Sequence, residues 1–544
     1  MVIKGKLVDI EARKIYGAEI SVLDKKIAAI RPLDPGEWVP DHFITPGFID
    51  AHVHIESSML VPTEFARLAV LHGTVATVSD PHEIANVLGI AGVEFMIDNA
   101  SQTPFYFYFG APSCVPATPF ETAGAVLDAI AVDQLLSRPQ IKYLSEMMNF
   151  PGVLNRDPEV MKKIASAKKY GKPVDGHAPG LRGREALHYI QAGISTDHEC
   201  FSQDEALGKL EMGMKILIRE GSAARNFEAL APLLDQHWAN MMFCSDDKHP
   251  DSLLQGHINQ LCARAVAKNI DPFKVLQAAC INPIEHYQLE VGRLRPGDSA
   301  DFIVLKDLKD FEVKQTWLQG TLVAEGGVTR LPAVRAVPQP NQFKVDVKKP
   351  EDFLFKAFPQ RDSTYPFAVI EAYDGQIVTG KYNVDIQPKD GVWTSDVERD
   401  LLQIVVVNRY KKAPVAQAFI RNFGLKTGAL ASSVAHDSHN IVAVGADLSS
   451  LCQAVNAVIA ERGGISAADG QRVECLGLPV AGLMSTGEGT QVAESYTKLD
   501  GLAKKMGSRL QSPFMTLSFM ALLVIPHLKL SDLGLFDADH FHLV

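Results

Sequence analysis

No two cysteines in this chain stand in a Cys-x-x-Cys spacing; the seven present (Cys114, Cys200, Cys244, Cys262, Cys280, Cys452 and Cys475) are scattered and odd in number. A disulfide-stapled fold is thereby excluded, and the set reads as reduced thiols in a cytosolic protein. Long apolar runs are missing too. The most apolar late stretch, Phe514 to Ile525, is too short to span a bilayer and is interrupted by Thr516 and Ser518. Met1 to Lys6 carries no apolar segment of the signal-peptide kind. Cytoplasm, and no membrane partner, is the expectation. Positive charge is in deficit: the formal net charge is −11. That argues against a nucleic-acid backbone as partner and leaves a phosphate-free small molecule open. There is no glycine-rich phosphate fingerprint after the first strand, no internal repeat and no low-complexity tract.

What is present is a soluble, globular composition: 544 residues, 47% hydrophobic and 22% charged. That length predicts two or three domains. The N-terminal residues read as short strands, Val2–Ile10, Ala18–Leu23 and Lys26–Ile30, with Asp24-Lys25 as a tight turn between the last two. From Phe43 to about Asp247 a unit of short apolar strand followed by helix repeats. The strands are Phe48–Val53, Thr74–Ser79, Phe105–Phe109, Ile141–Ser145, Pro173–Asp175, Ile194–Thr196, Met214–Ile218 and Met241–Cys244. Helical stretches lie between them, such as Glu83–Asn99, Pro158–Tyr170 and Arg184–Ala192. Eight such units in about 240 residues fit a (β/α)8 barrel. The fold class expected is therefore α/β: a TIM-type barrel over 45–291, with a small flanking β-sandwich domain from 1–44 plus 292–330. A proline-rich linker (Pro332 to Pro340) leads to a C-terminal α/β domain over 341–544.

Ligand-type residues gather at the strand ends. His52 and His54, one pleat apart, project the same way from the first strand. Glu146 ends the fourth, Asp175-Gly176-His177 the fifth, Asp197-His198-Glu199 the sixth and Asp246-Asp247 the eighth. A carboxylate or histidine at a strand end is commonly a helix cap. All of them at the same end converge on one barrel mouth, where catalytic groups sit. Imidazole and carboxylate together suit Zn, Mn or Fe.

Pro46-Gly47-Phe48-Ile49-Asp50-Ala51-His52-Val53-His54 and the return segment Gly292-Arg293 through Ala300-Asp301 resemble the amidohydrolase superfamily. More narrowly, His54-Ile55-Glu56-Ser57-Ser58-Met59, Asp80-Pro81-His82-Glu83-Ile84-Ala85-Asn86-Val87, His436-Asp437-Ser438-His439-Asn440 and Leu478 to Met484 are similar to the bacterial adenine deaminase family, over essentially the whole chain. The resemblance implies a binuclear divalent site, Mn(II) or Fe(II) favoured and Zn(II) possible. His52 and His54 would hold one ion, and His177 and His198 the other. Glu146 would bridge them where many relatives use a carboxylated lysine. Asp246 would bind metal and carry the proton, with Asp247 as the alternative one residue on. Asp246, Glu146 and His198 then form the catalytic set. The implied reaction is attack of a metal-activated hydroxide on the amine-bearing carbon of adenine, giving hypoxanthine and ammonia.

Other polar segments carry two readings each. Asp80, Pro81 and Glu83 make sense as a helix start, whereas His82 points to substrate binding or an auxiliary metal. Glu56, Ser57 and Ser58 cap a loop or meet the purine edge. Arg219, Glu220 and Ser222 make a surface ion pair or a substrate contact. His436, Asp437, His439 and Asn440 form a turn, or close over the barrel mouth. The substrate-side set expected is Glu56, Ser57, Asp80, His82, Glu83, Asp247, His436 and His439. His54-Ile55-Glu56 matches half of the cytidine-deaminase signature, but the Pro-Cys-x-x-Cys that must accompany it is missing. Adenine and water are the expected partners, in a homo-oligomer. The competing readings are a superfamily hydrolase acting on another heterocycle, and a relative that has lost catalysis and serves as a scaffold.

Overall fold

In the computed structural model, which describes residues 1–356 and 365–544, the chain opens on β1 (Val2–Asp9), β2 (Lys14–Leu23), β3 (Lys26–Pro32) and β4 (Phe43–Pro46). Asp24 and Lys25 both take positive φ, 47° and 68°, the backbone that a two-residue hairpin needs to match strand twist. The barrel strands follow: β5 (Phe48–Val53), β6 (Thr74–Ser79), β7 (Tyr106–Ala111), β8 (Ile141–Met147), β9 (Val174–Gly176), β10 (Thr196–Asp197), β11 (Lys215–Arg219) and β12 (Met241–Cys244). After the barrel come β13 (Phe302–Leu305), β14 (Val313–Leu318), β15 (Thr321–Glu325) and β16 (Val328–Thr329).

β5 to β9 form one parallel sheet and β10 to β12 another. Single parallel bridges join them, Val174 to Ile194 on one side and Val53 to Asp246 on the other. Every residue of β5, β6 and β12 is buried, as parallel strands covered by helices require. β5, β6 and β12 have the expected bounds, and the other five strands differ from those expected by a residue or two. β8 runs on to Met147, so Glu146 lies inside the strand, where the pairing with β9 shifts register between Leu144 and Met147. The helical stretch expected over Glu83–Asn99 is two helices, His82–Leu88 and Ile90–Ala100. Gly89, at φ 64°, separates them; this left-handed backbone is cheap for glycine and ends a helix.

Outside the barrel, β4 pairs with both β1 and β13, so the two flanks of the barrel share one eight-stranded sheet in the order β16-β15-β14-β13-β4-β1-β2-β3. The sheet curls enough for Ile27 N to donate to Asp298 O, and Ala300 N to Lys25 O. Its interior is a separate apolar cluster with Leu7, Ile20, Ile44 and Phe302.

The C-terminal part is built on a second eight-stranded sheet that includes Leu402–Val407, Ala429–Ser432, Ile441–Gly445 and Gly464–Ala468. Alternation assigns its two faces. Val405, Val407, Ala429, Ala431, Ile441 and Ala443 pack on the helix Leu448–Ala460. Their neighbours Ile404, Val406, Leu430, Val442 and Val444 join the large core shared with the barrel. Through this second face the loop 433–440 is held against the barrel mouth.

Candidate metal centre and catalytic cavity

Barrel closure itself sets the first ligands in place. Asp246 N donates to His52 O (2.9 Å) and His54 N to Asp246 O (3.2 Å), so the first and last strands present His52, His54 and Asp246 to one point. Their ligand atoms are close: His52 Nε2 to His54 Nε2 3.2 Å, His54 Nε2 to Asp246 Oδ1 3.1 Å, and His52 Nε2 to Asp246 Oδ1 3.4 Å. Asp246 adopts φ 54°, a left-handed conformation that costs a non-glycine residue energy and clusters at functional sites. Glu146 stands between the two histidine pairs. Its Oε1 lies 3.4 Å from His54 Nε2, and its Oε2 lies 2.6 Å from His177 Nδ1 and 3.2 Å from His198 Nε2. At Gly176, between β9 and the His177 loop, an added Cβ would sit 2.3 Å from Thr196 O. The close approach that brings His177 and His198 together therefore needs glycine.

All six residues are buried, and their donor atoms converge without a proton to share. His54 Nδ1 faces the Asp80 carbonyl at 3.1 Å. That carbonyl can only accept, so the proton sits on Nδ1 and Nε2 turns a lone pair toward His52 and two carboxylates. Lone pairs 3.1–3.4 Å apart repel unless a cation lies among them. Ligand bonds of about 2.0–2.2 Å set neighbouring donor atoms at this spacing. The residues therefore fit a divalent metal.

Electrostatics agree. Burial would raise the Glu146 carboxyl, but His177, His198 and His54 outweigh it and hold it well below the usual range. Burial acts the same way on Asp246, and there Arg219 with His52 and His54 prevails, keeping it ionised. Burial would lower His177; the carboxylates of Glu199 and Glu146 raise it instead to about 9.

Arg219, read as part of a surface ion pair or as a substrate contact, is 1% exposed and so not at the surface. Its guanidinium pairs with both oxygens of Glu199, one at 3.0 Å, and donates to Asp246 Oδ2 at 2.8 Å. The partly exposed pair is Glu220 with Arg264 at 2.5 Å. The cavity leaves about 20 Å3 for the centres of water molecules, enough to hold water. Its walls combine the metal-side residues with His82, Glu83, Glu199, Asp247, His436 and Asp437, and a ceiling of Ile377, Phe519 and Leu522.

The substrate-side residues divide. His82, Glu83, Asp247 and His436 face the cavity, whereas Glu56, Ser57, Asp80 and His439 stand behind it and hold the others. Glu56 Oε1 accepts from Ile84 N at 3.1 Å; burial, with the charge of Glu83 adding, lifts its carboxyl to about 7. Ser57 donates to Asp247. Asp80 takes the His82 backbone N–H and faces its Nδ1, both at 3.1 Å; Pro81 is the cap residue rather than the first helical one. Glu83 accepts from His436 and, at 2.5 Å, from His439. Of Asp246 and Asp247, it is Asp246 that meets the histidines.

Glu199, placed by the sequence among the ligand-type residues that end the sixth strand but given no role there, lines the cavity and holds Arg219. The ceiling had no place in the expected site. Phe519 and Leu522, some 270 residues beyond β12, carried no local signal.

The amidohydrolase family model matches residues 43–323, and the model described as the adenine deaminase C-terminal domain matches residues 376–542. An adenine deaminase of Sulfurovum sp. (strain NBC37-1) is 54% identical, covering 100% of this chain and 99% of the relative. One of Salinibacter ruber is 54% identical, with 100% and 98% covered. One of Methanosarcina mazei is 50% identical, with 99% and 98% covered. The last is archaeal, so the similarity is not confined to the bacterial enzymes.

Proposed function

We propose hydrolytic deamination of adenine to hypoxanthine and ammonia as the function, from the premise that the chain belongs to the amidohydrolase family and, within it, to the adenine deaminases. The observation that carries the reaction type is Glu146, whose two oxygens are divided between the His52–His54 and His177–His198 pairs. Full-length similarity, C-terminal part included, selects adenine among ring substrates.

In this reading His52, His54 and Asp246 would hold one divalent cation and His177 and His198 the other, with Glu146 serving both. Mn(II) or Fe(II) is the metal we favour, and the donor set accepts Zn(II) as well. Bound cations would supply hydroxide from water at neutral pH. The chain does the rest. Asp246, kept ionised by Arg219, accepts the proton of the attacking water and passes it to the departing amine, the acid–base part of the reaction. Arg219 anchors Asp246 Oδ2 so that Oδ1 keeps its direction. Ile377, Phe519 and Leu522 exclude water from above. Asp246, Glu146 and His198 are the catalytic set, and His82, Glu83, Asp247 and His436 face the base. Seven unpaired cysteines fit a cytosolic location. Among the described residues no helix is long and apolar enough to cross a membrane.

The test is ammonia release by metal-free protein reloaded in turn with Mn(II), Fe(II) and Zn(II), on adenine, guanine, cytosine and dihydroorotate. Adenine should be the preferred substrate, and activity should vanish on chelation. Faster turnover of another ring, or none of adenine, would overturn the assignment.

A further inference from the structure

Four residues of the cavity wall carry a polar atom without a partner: His177 and Arg219 on the metal side (Nε2 and Nε), and, on the opposite wall, Asp437 (Oδ2) and His436 (Nε2). Asp437 and His436 are both 2% exposed, both line the cavity, and both come from one loop of the C-terminal part. A buried polar group left unmet costs about 1–3 kcal/mol, and more when charged, so such a pair on a cavity wall marks a ligand's place. We propose that Asp437, with His436 beside it, grips the N9–H/N3 edge of the bound purine and so restricts the site to the free base, excluding nucleosides. This deepens the adenine reading and rests on it.

If C6 faces the metal ligands, N3 and N9 lie at the opposite edge of the bicycle. His82 marks the distance: its Nδ1 is 3.4 Å from Glu146 Oε1 and its Nε2 3.7 Å from Asp437 Oδ1. Asp437 is thus one imidazole beyond the bridging carboxylate, within reach of a purine's far edge. A carboxylate only accepts. On that edge the free base has one N–H to offer, and it is the hydrogen a ribose replaces.

His436 is fixed for the neighbouring nitrogen. Glu83 takes its Nδ1 proton, His439 holds the other Glu83 oxygen, and the Phe519 ring stacks on the imidazole at 4.8 Å and 20°. Only Nε2 is left to face the cavity; the nearest Asp247 oxygen is 3.9 Å away. With Glu83, Asp247 and Asp437 around it, and with His82, His439 and His249 as the neighbouring imidazoles, the ring favours its charged form and a donor at Nε2. N3 is an acceptor. The two wall atoms and the two edge atoms are complementary, and a site built on such bonds rejects analogues lacking one of them.

The experiment uses the Mn(II)-loaded enzyme, with adenine turnover and inhibition by 9-methyladenine, adenosine and 3-deazaadenine. Wild type should bind 9-methyladenine and adenosine at least about 100-fold more weakly than adenine. Asp437→Ala should lose about 100-fold on adenine and less than about threefold on 9-methyladenine. Asp437→Asn preserves the shape and covers a failure of the alanine variant to fold; it should lose about tenfold on adenine alone. His436→Phe should erase the penalty wild type shows for 3-deazaadenine. Equal losses on adenine and 9-methyladenine, or an unchanged ratio in either Asp437 variant, would overturn the proposal. So would loss of a bound Mn(II) equivalent in Asp437→Asn with the ratio intact, since Asp437 would then be a metal ligand. Wild type that releases no ammonia from adenine sinks the functional reading and this proposal together; an active wild type that accepts adenosine sinks this one alone.

Discussion

Replacing Arg219 with methionine isolates the charge that holds Asp246, the carboxylate proposed to be catalytic. The guanidinium is 1% exposed and bonds Glu199 and Asp246 at once, so its removal strands two buried carboxylates. Breaking a buried pair of this kind costs about 3–5 kcal/mol. The cost should depend on pH with a definite sign. In the native chain, burial pushes the Asp246 carboxyl up while Arg219 and the histidines more than offset it. Without Arg219 that balance moves toward burial, and the folded variant takes up a proton above the usual carboxylate range. Stability tied to a raised carboxyl is present at low pH and lost as pH rises. The gap between wild type and Arg219→Met should therefore be larger at pH 8 than at pH 5.5, measured by urea unfolding of the metal-free proteins. In the loaded enzyme, loss of the Asp246 Oδ2 anchor should lower kcat about 100-fold, the usual penalty for a misplaced catalytic group. Arg219→Lys keeps the charge without the fork and should recover stability better than kcat. An unfolding midpoint unchanged at pH 8, or a gap that widens toward acid, would refute the reasoning.

Three further outcomes are expected. Asp246→Asn should reduce kcat about 10²- to 10⁴-fold, the range for a lost acid–base group, while ammonia release at saturating adenine separates this from a binding defect. Glu146→Gln replaces the shared carboxylate by an amide, and metal analysis after dialysis should find the His177–His198 equivalent lost first; full retention of both ions would show that Glu146 does not bridge. Glu121 is buried beside Asp437, burial being the larger cause that lifts its carboxyl to about 8. Its stabilising contribution is complete below the ordinary glutamate range and fades as pH climbs through 8. Thermal melts should thus show Glu121→Gln gaining on wild type from pH 5 to pH 9, and a constant difference would contradict the shift.

The sequence by itself determined the barrel and the ring of ligand-type residues at its mouth. Both are local patterns repeated: a strand alternates its faces, so His52 and His54 must point together, and a parallel strand ends where its apolar run does. Barrel closure then does the rest, because strands that must meet bring Asp246 to His54 and Glu146 to His177. Even the error over Glu83–Asn99 was local, since Gly89 lay in plain sight. Which polar side chains face the cavity was decided only by tertiary structure. Glu56, Ser57, Glu83 and Asp247 all follow the ends of barrel strands, yet two turn inward and two support them. Glu83 is placed by His436 and His439, 353 and 356 residues away, and Arg219 by carboxylates from two other strands. The ceiling of Ile377, Phe519 and Leu522 comes from a different part of the chain altogether. Strand periodicity is a property of neighbours along the backbone and can be read from it. The direction of a loop side chain is set by whatever packs over it, and no spacing along one segment records what another will cover.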